Sequence, residues 1–228
     1  MSRRAGAGEP AQRAPARGLP DAPEPAHGPA VGSWEFRLPT AAATQALAER
    51  LGRLLRAGDM LVLSGGLGAG KTTFTQGLGR GLGVRPGIIS PTFVLVRIHP
   101  NQPDGPNPGG PDLVHADAYR LGSAGEVDDI DLENTLDTAV TVVEWGSGRV
   151  EHLAESRLEV ELRRATGGGA RPDGEGARNF HPQDGWFGDG LPDADSEEDD
   201  DEPRVLRIRA LGPRWLGTDL SVLAETVE

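Results

Sequence analysis

A glycine-rich stretch at residues 65–73 carries the clearest chemistry in the sequence. Its letters, GGLGAGKTT, fit the pattern G-x-x-x-x-G-K-[ST] in full. In this pattern backbone N–H groups surround phosphates, the lysine reaches the β- and γ-phosphates, and the hydroxyl holds Mg²⁺. An apolar run at 60–63 precedes the stretch and apolar residues at spacing four follow it, as a strand and a helix require. We therefore expect a nucleoside triphosphate to contact Gly66, Gly68, Ala69, Gly70, Lys71, Thr72 and Thr73.

Lysine usage in the whole chain supports this interpretation. The chain has 23 Lys and Arg residues, and only the residue at position 71 is lysine. A compact ammonium on a flexible stem fits between phosphates inside a tight loop, whereas a planar guanidinium does not. GTPases read guanine with an element that needs a second lysine. Guanine recognition of that type is therefore excluded, and ATP is the expected nucleotide.

Two carboxylates follow apolar runs at positions that suit metal and water chemistry. Hydrolysis of ATP needs a carboxylate near Mg²⁺ and a group that orients the attacking water. Glu144 follows the most apolar run, at 139–143, and we expect it to bind Mg²⁺ directly or through water. Asp117 follows a second run, and we expect it to lie behind the metal or to orient the water. The alternative for both residues is a solvated acid at a strand end.

Two neighbouring features are less specific. The triplet Ser-Pro-Thr at 90–92 suits a loop that senses a γ-phosphate, but a plain turn before a strand is the commoner meaning of such a pattern. His115 shares a strand face with Asp117 by parity, and we expect a structural role for it rather than a catalytic one.

The pattern around these residues predicts an α/β fold, with a P-loop mixed sheet flanked by helices and a C-terminal antiparallel hairpin. Alternation at 34–38 predicts a strand. Thr40 is expected to cap a helix whose leucine stripe reaches Leu55 and which ends at Gly58.

The second half of the chain predicts further strands. Residues 93–98 and 112–117 predict an antiparallel pair, and a short helix is expected at 127–136. Residues 157–163 and 204–210 predict the final hairpin, whose turn has been enlarged by an insert. Cross-strand pairing is expected between the outward acids Glu159 and Glu161 and the outward bases Arg207 and Arg209.

Composition divides the 228 residues into one folded part and two polar segments. Residues 1–32 have almost no large apolar side chain and residues 166–203 are dense in Gly, Pro and acid, so we expect a disordered tail and a disordered acidic insert. The insert holds twelve acids against two arginines, which accounts for most of the net charge of −12. We expect a single P-loop domain at 33–228, interrupted by the insert.

The cysteine count and the hydropathy of the chain exclude several classes of protein. The chain has no cysteine, which excludes a disulfide framework and a thiolate zinc site. No apolar run approaches the length of a membrane span, so we expect no membrane contact and a soluble, cytoplasmic protein. The folded part is near neutrality and offers no strong basic field for nucleic acid.

Taken together, the motifs resemble one family. Residues 65–74, 90–93, 115–120 and 143–145 have the order and rough spacing of the TsaE (YjeE) family. The segment 211–215 is similar to its actinobacterial form. The resemblance covers about 33–165 and 203–216.

This resemblance implies an ATPase of the bacterial pathway that installs threonylcarbamoyl on adenosine 37 of tRNAs reading codons that begin with A. Such a protein acts on the complex of TsaD and TsaB, its ATP hydrolysis allows repeated turnover, and it meets tRNA only through that complex. By position, Lys71 would bind phosphate, Thr72 and Glu144 would bind Mg²⁺, and Asp117 would support hydrolysis. Trp145 would lie near the nucleotide, and Thr44 is an additional contact candidate.

The chain departs from the family pattern in three places, namely the tail, the loop at 100–111 and the insert, each of which is longer than the family core requires. These departures bear on how the protein docks and not on the ATP site.

We therefore expect Mg²⁺-dependent ATP hydrolysis, slow in isolation because no arginine finger or water-orienting glutamine is evident. One alternative is a small-molecule kinase, although the nearest candidate for an arginine-rich lid, 157–164, suits a strand better. A second alternative is a module that binds ATP without hydrolysing it and in which Glu144 is dispensable.

Overall fold

The sheet is organised around the strand that leads into the glycine-rich loop. A computed structural model describes residues 30–121, 126, 132–165 and 202–224. Within these residues seven strands form one mixed sheet in the order β1-β7-β6-β2-β5-β4-β3. The strands are β1 Gly32–Leu38, β2 Met60–Ser64, β3 Val96–His99, β4 Asp112–Asp117, β5 Ala139–Glu144, β6 Arg157–Arg164 and β7 Arg204–Leu211.

The four central strands, β6, β2, β5 and β4, run parallel to one another. Every residue of β5 is buried, as expected for a strand covered on both faces. Because parallel strands end at the same edge, the loop after β2 lies beside the ends of β5, β4 and β6. The predicted α/β mixed sheet is confirmed, and this carboxyl edge is where it collects polar side chains.

The helices cover the two faces unequally. Helices α1 Ala41–Gly52 and α2 Lys71–Leu82 pack together over one face, on the larger apolar cluster. Their contact is so close that a Cβ atom on Gly81 would collide with the carbonyl oxygen of Glu49. The other face has a smaller cluster, covered in part by a short helix, α3 Glu133–Leu136, and a 3₁₀ turn at Glu151–Leu153.

The predicted C-terminal hairpin is confirmed, because β6 and β7 pair antiparallel from Arg157↔Leu211 to Arg164↔Arg204. One of the expected charge pairs is present, with Arg209 Nη1 lying 3.1 Å from Glu159 Oε2. The other is not, because Arg207 turns outward to Glu35 on β1, 3.4 Å away. Strand β1 was not considered as a neighbour of β7 in the sequence, so this alternative partner was not foreseen.

Two element boundaries predicted from sequence are wrong. Helix α1 ends at Gly52 and not at Gly58, because its last turn tightens into hydrogen bonds three residues apart, such as Leu54 N to Leu51 O at 2.9 Å. Strand β3 begins at Val96 and not at Phe93. Residues 92–95 instead form a turn in which Leu95 N donates to Pro91 O at 2.7 Å, and Phe93 is 84% exposed.

Several predictions fall wholly or partly outside the described residues. These are the tail up to residue 29, the helix segment at 127–131 and the insert from 166 to 201. At the end of the predicted tail, Val31 N donates to Ala210 O at 2.8 Å and β1 begins at Gly32. Among the described residues, none of the helices combines the length and apolar character that a bilayer span requires.

Candidate functional site

The glycine-rich loop connects β2 to α2 at the carboxyl edge of the sheet. Gly65 has a φ of 143°, and a Cβ atom there would collide with the carbonyl oxygen of Leu162 on β6. Only glycine allows both this backbone conformation and this close approach to the neighbouring strand. The loop turns directly into the first residue of α2, so the positive end of the helix dipole faces the same space as the loop amides.

Lys71 is held in the mouth of this loop. Its Nζ donates to Gly65 O at 3.0 Å and to Gly66 O at 3.1 Å, and it lies 3.9 Å from the centre of the Trp145 ring. Burial lowers the pKa of the Lys71 ammonium, and the negative charges of Glu144 and Asp117 offset part of that change. Phosphate oxygens at this position would supply the negative charge that a buried ammonium requires.

Glu144 ends β5 directly beside the loop and is 3% exposed. Its Oε1 accepts hydrogen bonds from Thr72 Oγ1 at 3.2 Å and from His115 Nε2 at 2.9 Å. A hydroxyl and a carboxylate in contact are oxygen donors of the kind that Mg²⁺ prefers, so the residues present fit that ion. The structure brings together the two residues expected to hold it.

Asp117 ends β4, one strand further from the loop, and both of its oxygens are engaged. Oδ2 accepts from Thr92 Oγ1 at 2.5 Å, and Oδ1 accepts from Tyr119 N at 2.8 Å. Thr92 in turn contacts Ser90 Oγ at 2.8 Å. The Ser-Pro-Thr segment is therefore tied to Asp117 and is more than the plain turn that its pattern most often indicates.

These groups surround a cavity of about 340 Å³. Seven predicted site residues line it, whereas Gly66 and Ala69 of the same loop do not, and Asp117 contacts the lining residue Thr92. Thr44 does not reach the cavity. It is 0% exposed, and its hydroxyl donates to Thr40 O at 3.2 Å at the start of α1. The predicted residues that line the cavity are Gly68, Gly70, Lys71, Thr72, Thr73, Glu144 and Trp145, and they are joined by Ser90, Thr92 and Arg204.

Two arginines that were not predicted as site residues lie at or beside this cavity. Arg204, the first residue of β7, lines the cavity although it is only 5% exposed. Arg164, the last residue of β6, donates to Gly68 O from Nε and Nη2 at 3.3 and 3.2 Å. The hairpin had been predicted, but its place in the sheet had not. Once β6 runs parallel to β2, the end of the hairpin that carries Arg164 and Arg204 must lie over the glycine-rich loop.

His115, for which we expected a structural role, lies next to the site. It is 0% exposed, and its ring contacts the carboxylate of Glu144 across two strands. The available signal was its parity with Asp117, which placed it on the strand face that leads to the loop.

Comparison with known proteins gives one consistent result. A family model described as "Threonylcarbamoyl adenosine biosynthesis protein TsaE" matches residues 38–171. The tRNA threonylcarbamoyladenosine biosynthesis protein TsaE of Streptomyces coelicolor is 46% identical over 179 residues, which cover 78% of this chain and 97% of that protein. The protein of the same name from Mycobacterium tuberculosis is 44% identical over 142 residues, covering 60% of this chain and 82% of that protein.

Among solved structures, the crystal structure of Bacillus subtilis YdiB is similar with a TM-score of 0.54 and 27% sequence identity, covering 84% of this chain and 95% of that one.

Proposed function

The chain belongs to the TsaE family and takes part in tRNA threonylcarbamoyladenosine biosynthesis, and from this premise we propose that it is a Mg²⁺-dependent ATPase acting on the TsaD–TsaB complex. The family is one of P-loop ATPases, and membership implies nucleotide binding. In the proposed function, hydrolysis returns the complex to a state that can act again, tRNA is met only through the complex, and the work takes place in the cytoplasm.

The observation that carries the proposal is the contact between Thr72 and Glu144 beside Lys71. A hydroxyl that opens a helix after a glycine loop, 3.2 Å from a carboxylate on the adjacent parallel strand, is the arrangement that Mg–nucleotide chemistry needs. Lys71 binds the β- and γ-phosphates, and the loop amides orient them. Bound Mg²⁺ would neutralise charge that develops on the phosphate oxygens during transfer.

Asp117 supports hydrolysis through Thr92. Both oxygens of Asp117 already accept hydrogen bonds, so the residue fixes the 90–92 segment against the cavity. The hydroxyls of Ser90 and Thr92 line that cavity, and their oxygens can still accept a hydrogen bond from a water there. Because the carboxylate itself is engaged, we expect hydrolysis by the isolated protein to be slow and to be accelerated by the TsaD–TsaB complex.

The test is ATP turnover by the wild type and by Glu144→Ala, each with and without TsaD and TsaB. We expect the complex to raise wild-type turnover, and we expect Glu144→Ala to lose on the order of 100-fold while still binding ATP, because a metal ion supplies several kcal/mol of charge stabilisation. Glu35→Ala, which removes an exposed carboxylate on β1, is the matched control and should turn over like wild type. Equal turnover rates in all samples would show that Glu144 has no catalytic role and that the complex does not accelerate hydrolysis.

Partner binding is tested separately by co-purification with TsaD and TsaB in ATP and in ADP. The proposal expects more complex in ATP, and indifference to the nucleotide would contradict it.

A further inference from the structure

The carboxylate of Glu144 is held from two sides through one of its oxygens. Thr72 Oγ1 and His115 Nε2 both lie within hydrogen-bond distance of Oε1, and within the described residues no hydrogen bond reaches Oε2. We propose that His115 is a positioning residue, which fixes the plane of this carboxylate so that Oε2 stays directed to Mg²⁺. The proposal rests on the Mg²⁺–ATP function proposed above.

Strand register explains how a histidine from β4 reaches this carboxylate. In the parallel pair β4–β5, His115 stands opposite Val142 and Asp117 stands opposite Glu144. His115 and Glu144 are therefore diagonal neighbours on one face of the sheet, a separation that an imidazole and a glutamate side chain can bridge. Any slip of one residue between β4 and β5 would move His115 to the opposite face.

The hydrogen bond also fixes the state of the ring. A carboxylate oxygen only accepts, so the contact with Glu144 requires the hydrogen on His115 Nε2. Its other nitrogen, Nδ1, is buried and has no hydrogen-bond partner within the described residues. Glu144 is thus the only hydrogen-bond partner of the ring in that part of the protein, and no competing group favours another ring orientation.

Stability of the fold does not explain a histidine at this position. An imidazole that is 0% exposed and only half satisfied costs free energy that an apolar side chain of similar size would not. A histidine that costs stability in the core and hydrogen-bonds a single carboxylate is explained by what it does to that carboxylate. Residues that hydrogen-bond a metal ligand and orient it act in this way, and their removal typically lowers metal affinity about 10- to 100-fold.

The neighbouring His99 provides a matched comparison. Its ring centre is 6.3 Å from that of His115, and it is likewise largely buried, with an Nε2 that lacks a hydrogen-bond partner among the described residues. Burial lowers the pKa of His99, and the neighbouring His115 and Arg97 lower it further. It does not contact Glu144, so it shares the environment of His115 without the proposed role.

The experiment compares His115→Met with His115→Gln in the full chain. Glutamine can place an N–H donor close to where Nε2 lies, and methionine has nearly the same length and no donor. For each variant the Kd of a non-hydrolysable ATP analogue is measured in excess Mg²⁺ and in EDTA. The ratio of the two values gives the gain in nucleotide affinity that depends on the metal.

We expect His115→Met to lose about 10- to 100-fold of the Mg²⁺-dependent gain, with the Kd in EDTA within about twofold of wild type. His115→Gln should recover most of the loss, and His99→Met should keep the wild-type gain. If His115→Met does not fold, His115→Asn replaces it, because the shorter amide cannot reach Glu144 as glutamine does. A full gain in His115→Met, or in His115→Asn where it is used instead, would overturn the proposal, as would an equal loss in His115→Gln.

Failure of the underlying function has a different signature. If wild type shows no Mg²⁺-dependent gain, or if Glu144→Gln keeps all of it, the proposed metal site is wrong and the positioning role falls with it. If wild type and Glu144→Gln differ as expected while His115→Met equals wild type, only the role of His115 is overturned.

Discussion

The two ends of helix α2 open onto two different cavities. At Lys71, where the helix begins, lies the cavity of about 340 Å³ beside Glu144. Near the end of the helix, Arg80 and Gly83 line a larger one of about 500 Å³, together with residues of α1 and of the segment 84–88. If volume identified a binding site, the second cavity would be the better candidate.

The two cavities differ in the kind of polar group that lines them. In the larger cavity the polar groups bond to one another: Gln45 Nε2 donates to Gln76 Oε1 at 3.0 Å, Arg80 Nη2 donates to Gln45 Oε1 at 2.7 Å, and Gln76 Nε2 donates to Ile88 O at 3.0 Å. In the smaller one a buried ammonium, a buried guanidinium and a buried carboxylate converge on one space. The convergence of charged groups, and not volume, distinguishes the candidate site.

The largest effect on ATP affinity is expected for Lys71→Met, which removes the ammonium from the smaller cavity. We expect ATP affinity to fall on the order of 100-fold or more, because charge-assisted hydrogen bonds contribute roughly 1.5–3 kcal/mol each. The measurement is the Kd for ATP by calorimetry. Arg80→Met removes a cation from the larger cavity and should leave that Kd within about twofold; a similar loss in both variants would abolish the distinction between the cavities.

A smaller effect is expected for Arg204→Ala, which removes the cation that sequence analysis did not foresee. The Kd for ATP should rise by roughly tenfold, and Arg204→Lys should recover part of the loss, because lysine keeps the charge without the planar fork. Arg207→Ala is the control, since Arg207 lies on the same strand but turns toward Glu35. An unchanged Kd for Arg204→Ala would show that Arg204 does not contribute to ATP binding and only stabilises the hairpin.

The smallest effect on nucleotide binding is expected in the larger cavity. Gln76→Met breaks its contacts with Gln45 and Ile88, so the free energy of unfolding should fall by roughly 1–2 kcal/mol, as measured in urea. ATP binding should stay within about twofold of wild type. Because Ile88 leads into the 90–92 segment, a larger change in the Kd for ATP would show that the two cavities are coupled.

The features that could be predicted from the sequence are those that a short segment specifies by itself. The phosphate loop, the buried run of β5 and the C-terminal hairpin each depend on a local pattern, and each was located from sequence. Glu144 and Asp117 were placed correctly at strand ends because a strand end is also a local property.

The rest depends on which strands become neighbours. Arg204 joins the site because β6 lies beside β2, and His115 touches Glu144 because β4 lies beside β5 in one register. Neither fact can be obtained from residue spacing within one segment. The same limit explains Phe93, whose apolar side chain suggested a strand although Thr92 is drawn into a turn by Asp117. Thr44, named from resemblance alone, faces the interior of the protein.

The backbone of Trp145 has a consequence for protein engineering. Its φ of 59° lies in the left-handed region, which costs a bulky residue on the order of 1–3 kcal/mol, and Trp145 N is pinned by Leu63 O at 3.0 Å. A glycine would adopt the same turn without that cost. The indole offsets part of that cost, since its ring lies 3.9 Å from the Lys71 ammonium and 5.4 Å from the ring of Tyr119. A stabilisation scheme that replaced Trp145 by glycine would relieve the backbone strain and lose both ring contacts, so the position offers little to such schemes.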